Sequence, residues 1–297
     1  MVALLAAASL AVTAGCAAPQ RGADGSLTDG WAGFGEPTTF VPQAGICHRD
    51  EAPSGSGKYY RPVDCDELHL VETAHVGTFT GTDAQRTTAP VGNVPAREAA
   101  RVECEARTAE FLGDIWQHGL LEMTVLVPPQ AAWRAGARWF RCDVTEVSSV
   151  FEGSVLPRTG SLRGTLADGG PLRLGCHDVR WGDDYLEALE PVDCGRPHHG
   201  EFVGTFDRGA LPSMDHNSSQ TEDEMLQEHC LRMIADYADL PVDEDLPYRV
   251  ATFWFRTGDP WFWEGDLRVR CFLYVPDFTT PLVRSAKGGG PGLFPVW

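Results

Sequence analysis

Positive charge is what this chain has least of. Its 297 residues carry 24 Lys+Arg against 42 Asp+Glu, a formal net charge of −18, and Lys58 and Lys287 are its only lysines. A surface this acidic offers no footprint for nucleic acid, whose phosphates need clustered cations. It also has no electrostatic hold on an anionic membrane surface. Long apolar runs are scarce as well: the stretch from Met1 to Ala14 is too short to span a bilayer by itself. Familiar catalytic signatures are missing. There is no Gly-x-Ser-x-Gly nucleophile turn, no His-Glu-x-x-His metal helix and no P-loop.

Cysteine is plentiful. Eight of the nine fall into two sets of four with similar spacing, Cys47, Cys65, Cys104, Cys142 and Cys176, Cys194, Cys230, Cys271. Cys16 stands apart. An even framework plus one special cysteine reads as an exported protein whose thiols oxidise to disulfides. The special cysteine closes Thr13-Ala14-Gly15-Cys16 after the apolar run. This segment resembles the lipobox of bacterial lipoproteins, which implies a signal peptide over 1–15 and a lipid carried on the Cys16 thiol. Residues 16–40, rich in Gly, Ala, Asp and Thr without a period, read as a tether between membrane and first domain.

One stretch is written twice. Pro62-Val63-Asp64-Cys65 precedes His69, Glu72 and Val76-Gly77-Thr78-Phe79, and Pro191-Val192-Asp193-Cys194 precedes His198, Glu201 and Val203-Gly204-Thr205-Phe206, a period of 129 from the proline to the glutamate, with the Val-Gly-Thr-Phe copies 127 apart. Cys47 and Cys176 each lie 18 positions upstream of the motif cysteine and are followed at once by His48 and His177. A copied unit of this size is a small domain. The pattern predicts an α+β fold of two tandem β-β-α-β-β units, 41–150 and 171–277. Each is a small, mostly antiparallel sheet with one packed helix. Residues 151–170 read as a linker and 278–297 as a flexible tail. Strands are expected at 45–47, 59–80, 120–127 and 137–144. The first helix is expected from Pro95 to about His118, ended by Gly119, with Val102, Ala106, Ala109, Leu112, Ile115 and Trp116 on its apolar face. In the second unit Thr221-Glu222-Asp223-Glu224 reads as a capping box.

Four cysteines allow three pairings per unit. Their placement on neighbouring strands, or on helix and last strand, favours Cys47–Cys65, Cys104–Cys142, Cys176–Cys194 and Cys230–Cys271. Cys65, His69 and Glu72 are zinc-ligand types. However, oxidised cysteines cannot ligate, the spacing matches no familiar structural zinc pattern, and strand residues three apart face opposite sides. No metal or cofactor is therefore expected. His48, His69, Glu72, His177, His198 and Glu201 read first as hydrogen-bonded structural residues. A metal-dependent hydrolase using the two His/Glu pairs is the alternative. The second unit alone carries Phe253-Trp254-Phe255 and Trp261-Phe262-Trp263. These rings either fill a sheet face covered by the other unit or, at Trp254, Trp261 and Trp263, form a surface for an envelope protein or cell-wall glycan.

The opening at Gly45-Ile46-Cys47 and Gly175-Cys176, the Val-Asp-Cys-x-x-x-His-x-x-Glu core, the helix cysteine and the closing Arg141-Cys142 and Arg270-Cys271 together resemble the bacterial septum-formation domain family. The resemblance implies two copies between about 45 and 275 and an envelope or division-linked role, with no catalytic residues to carry over. The expected protein is non-enzymatic, extracytoplasmic and lipid-anchored to the outer face of the cell membrane. Non-reducing peptide mapping should find all eight paired cysteines in bridges and no free thiol among them; a reduced pair would refute the framework.

Overall fold

The computed structural model describes residues 39–52, 55, 57–151, 153–183, 185–211, 221–257, 268–275 and 281–296. Cys16, the signal segment, nearly all of the tether, Trp261 and Trp263 lie outside them. No helix among the described residues is long and apolar enough to cross a membrane.

Residues Phe40–Trp297 form one compact unit built on two five-stranded sheets. The first comprises β1 (Ile46–His48), β2 (Pro62–Val63), β3 (Val71–Thr78), β4 (Leu121–Leu126) and β5 (Trp139–Glu146), in the order β2-β1-β3-β5-β4. The second comprises β6 (Cys176–Trp181), β7 (Leu186–Val192), β8 (Gly200–Asp207), β9 (Ala251–Arg256) and β10 (Arg268–Tyr274), in the equivalent order β7-β6-β8-β10-β9. Neighbouring strands are antiparallel throughout. The helices are α1 (Gly81–Ala84), α2 (Pro95–Leu112), α3 (Gln130–Arg134) and α4 (Glu222–Ala238). The α+β reading with two sheets holds, with one more strand per sheet than the spacing suggests.

The extra strand comes from a turn that the motif itself makes. Asp64 Oδ1 accepts the Asp66 N–H at 3.0 Å, and Asp193 Oδ1 accepts the Gly195 N–H at 2.7 Å. These Asx turns break each long β-rich run in two. Pro-Val ends one strand, and the next starts after His69 or at Gly200.

The first helix also differs from its expected extent. It stops at Gly113, whose φ of 91° is the left-handed cap that glycine favours, and a short 3-10 turn follows at Trp116–His118. Its buried face is Ala96, Ala100, Cys104, Thr108, Phe111 and Leu112, while Val102 stays 54% exposed. The Cys104–Cys142 bridge fixes that rotation by pinning Cys104 to β5. The remaining bridges are Cys47–Cys65, Cys176–Cys194 and Cys230–Cys271. Helix α4 starts with the expected capping box: Thr221 accepts the Glu224 N–H, and Glu224 accepts the Thr221 N–H.

Each sheet has a helix face and a far face. Phe140, Cys142 and Val144 of β5 meet α2, and Cys271 and Leu273 of β10 meet α4. The glycine of Val-Gly-Thr-Phe serves that packing. A Cβ on Gly77 would lie 2.0 Å from the Phe140 ring, and Gly204 combines a φ of 151° with a close Met233. Segments that the sequence sets outside the sheets enter the cores. Leu162, Leu166 and Leu172 pack with Phe111 and Leu112, while Leu282, Ala286 and Phe294 pack with Ile234 and Ala238.

Replacing Gly77 by Ala should destabilise the fold by about 1–3 kcal/mol, the range for overpacking a filled core, whereas Gly57→Ala, with nothing within 4 Å of its new Cβ, should not. Urea denaturation of both variants checks this.

Candidate functional site

The repeated carboxylates are buried at the centre of one recurring arrangement. Glu72 Oε1 accepts the Ser161 hydroxyl at 2.8 Å and Oε2 accepts the Leu162 N–H at 2.6 Å. Glu201 Oε2 accepts the Ser285 hydroxyl at 2.9 Å and Oε1 accepts the Ala286 N–H at 2.6 Å; the Tyr237 hydroxyl adds a further bond to Oε2. Each serine also accepts an N–H two residues on, from Arg163 or Lys287. Beyond it the chain hooks the helix end. Gly164 and Leu166 donate to the Phe111 and Leu112 carbonyls, as Gly288 and Gly290 do to Tyr237 and Ala238. The last carbonyls of a helix lack internal partners, and these segments supply them. Each His/Glu pair thus sits in a clasp joining strand, helix end and returning chain.

The histidines divide by half. His69 bridges the clasp through its backbone to Arg158, and His198 does the same to Leu282. The His198 Nδ1–H donates to the Arg196 carbonyl at 2.7 Å, and Nε2 lies 2.9 Å from Glu201 Oε1. Both contacts favour the protonated form of the ring. Burial alone would lower its pKa; the bonds to Glu201 and Arg196 outweigh it and raise it. His69 donates Nδ1–H to the Glu67 carbonyl, and its Nε2 has no partner among the described residues. Among the described residues the His–Glu side-chain contact therefore forms only in the second half.

On the far face of the first sheet lies a buried polar chain. His48 Nε2 donates to Thr73 Oγ1 at 3.0 Å, Thr73 donates to Asp143 Oδ1 at 2.8 Å, and Asp143 Oδ2 meets Arg141 at 2.7 Å. Tyr60 and Phe40 lie over it. The far face of the second sheet is instead aromatic. Phe202 and Phe272 take the places of Thr73 and Asp143, and His177 packs edge-on to Phe272 at 5.4 Å. Burial is the main cause that lowers both His48 and His177 to about 4, and Arg141 beside His48 adds to it. Burial likewise raises Asp143.

Cys47, Cys65 and Glu72 converge, as do Cys176, His198 and Glu201. In both groups the sulfurs are in disulfides and the carboxylate oxygens already accept protein hydrogen bonds. That donor set does not fit a metal ion. A cleft of about 1020 Å³ runs along edge strand β4, between Glu51, Thr124, Trp116 and Arg256, and none of the six repeated His and Glu residues lines it. Of the aromatic surface candidates only Trp254 is described; it is half-buried in register with Cys271 on the α4 side. Phe253 and Phe255 fill the far face against Val150 and Phe151 of the first half.

The clasp was legible only in part. Pro157-x-x-x-Ser161-x-Arg163-Gly164 and Pro281-x-x-x-Ser285-x-Lys287-Gly288 are a second repeated pattern, offset by 124 positions rather than 129. The change of offset hides it from a search at one period.

Two α+β sheets braced by four disulfides, with their repeated polar residues turned inward, define a protein built for an oxidising compartment. The sequence matches the septum formation family over residues 44–271, a span that runs from β1 into β10, and the chain belongs to that family. No curated protein and no solved structure matches it.

The buried rings make stability depend on pH. Folded His48 and His177 refuse protons that the unfolded rings accept below about 6.5, so stability falls as pH drops from 6.5 towards 4, by about 3 kcal/mol per ring. His198 has the opposite sign: its contribution is complete below the unfolded value and is lost as pH rises through its elevated pKa. Urea midpoints taken from pH 7 to 4.5 should show a shallower acid slope in His48→Gln than in the wild type; an unchanged slope refutes the assignment.

Proposed function

We propose that this protein is a non-enzymatic binding protein of the cell envelope, anchored by a lipid on Cys16 at the outer face of the cell membrane. Its two sheet units engage an envelope protein or cell-wall glycan in a division-linked role. The observation that carries the reading is the fate of the repeated polar residues. Glu72 and Glu201 are buried with both oxygens bonded, His48, His69, His177 and His198 are buried, and none of the six reaches the cleft. Side chains held this way support a scaffold, and binding is left to the surface. The disulfides, the lipobox-like Thr13 to Cys16 and the family match support an extracytoplasmic setting.

A metal-dependent hydrolase would need one of these carboxylates open to a metal or a water, at the cost of several charge-assisted hydrogen bonds. Metal analysis of the oxidised protein separates the readings, because stoichiometric zinc would favour the hydrolase. The binding reading predicts that the full-length protein partitions into detergent and is retained by sacculi or cross-linked envelope partners. Cys16→Ser should lose the partition and keep the retention. Absence of retention by any envelope fraction would refute the proposal.

A further inference from the structure

We infer that the cleft along β4 takes an extended peptide segment of a partner protein, which adds a sixth strand to the first sheet. The inference names the kind of partner and rests on the envelope-binding reading above. β4 is an edge strand, and its register decides which backbone groups are left over. The Val147 N–H donates to the Leu120 carbonyl at 3.0 Å, so Leu121 and Glu146 face each other without exchanging bonds. By alternation Leu121, Met123 and Val125 turn their N–H and C=O groups away from β5. Arg270 of the second half marks that direction, since it donates to the Leu121 carbonyl at 3.4 Å. Among the described residues no strand pairs with this side of β4, and no bond reaches the outward groups of Met123 or Val125.

Met123 and Val125 both line the 1020 Å³ cleft, and the ladder is bounded at each end. Arg270 and Trp116 stand at the Leu121 end. At the other end Pro128 and Pro129 have no N–H to offer, and a Cβ on Gly55 would come within 2.0 Å of the Val127 carbonyl. A peptide strand laid between them, about 4.8 Å from β4, bonds to all four outward groups of Met123 and Val125. The second half stands across the cleft through Arg256 and Arg270, so the space suits a lone strand and not the edge of a second sheet. The opposite edge strand, β2, is closed to such pairing: it is two residues long and begins with Pro62. Donors and acceptors repeating at strand spacing match a peptide backbone and nothing in a glycan. Peptide side chains opposite Met123 and Val125 share their face, where Val91 and Val94 also line the cleft, and are therefore apolar. The side chain between them shares the face of the exposed Glu122 and Thr124, with Glu51 nearby, and is therefore cationic.

The test is amide exchange by NMR on the full-length protein in detergent micelles, free and with the probe acetyl-Thr-Val-Lys-Val-Thr-amide. In the free protein the Met123 and Val125 amides should exchange about tenfold or more faster than those of Glu122 and Thr124, which bond to β5. Equal protection overturns the proposal, because the edge is then already bonded. The probe should bind saturably and slow exchange at Met123 and Val125. Methylating the backbone nitrogens of both valines should weaken binding by about tenfold or more, while methylating that of the lysine leaves it unchanged; equal effects overturn the proposal. A glutamate in place of the lysine should weaken binding by about twofold to fivefold. Sacculus retention without probe binding refutes the strand site and leaves the envelope reading standing. Protection of Met123 and Val125 by purified glycan strands, and not by the probe, assigns the cleft to a sugar and overturns the proposal.

Discussion

A carboxylate buried away from water must be satisfied, and in this protein that requirement organises each half. Glu72 and Glu201 stand on the central strand β3 or β8, facing the helix, where an unpaired charge would be strongly destabilising. The chain answers by returning after its last strand to deliver a serine hydroxyl and a backbone N–H to each one. The same returning segment supplies donors to the helix's last carbonyls. One acidic side chain thus ties together a strand, a helix end and a length of irregular chain. Breaking such a buried, hydrogen-bonded group by removing one partner costs about 3–5 kcal/mol.

The two halves share this frame and spend their far faces differently. Thr73 and Asp143 carry a polar chain from His48 to Arg141 under Tyr60 and Phe40. The equivalent Phe202 and Phe272 build an aromatic layer against the first half. Where the halves meet, His118 reaches Thr205 and Phe202, and Arg270 donates to the Gln117 carbonyl. The duplicated motif therefore sets the frame, and divergence on one sheet face joins the halves into one body.

Disulfides complete the same logic. Each half has one bridge between the first strand and the motif turn and one between helix and last strand. By chain-entropy reasoning each is worth about 3–4 kcal/mol, which matters for small sheets with thin cores. A scaffold secured by sulfur and buried hydrogen bonds leaves its surface loops and hairpins available for recognition.

The sequence marked an oxidising compartment and favoured the disulfide pairing that the structure holds. Matching cysteine spacings mark neighbouring strands, and a duplicated signature marks a duplicated frame, because such signals are local and repeat at fixed intervals. It also determined the α4 capping box, whose partners lie three residues apart. Only tertiary structure decided the rotation of α2, since its weak apolar period gave way to the Cys104–Cys142 bridge. Tertiary structure likewise decided that Glu72 meets Ser161, 89 positions away in the chain, and that Phe253 and Phe255 turn towards the first half. The physical reason is the same in each case. A buried polar or aromatic group is satisfied by whatever the fold brings beside it, and that neighbour comes from chain far away in the sequence.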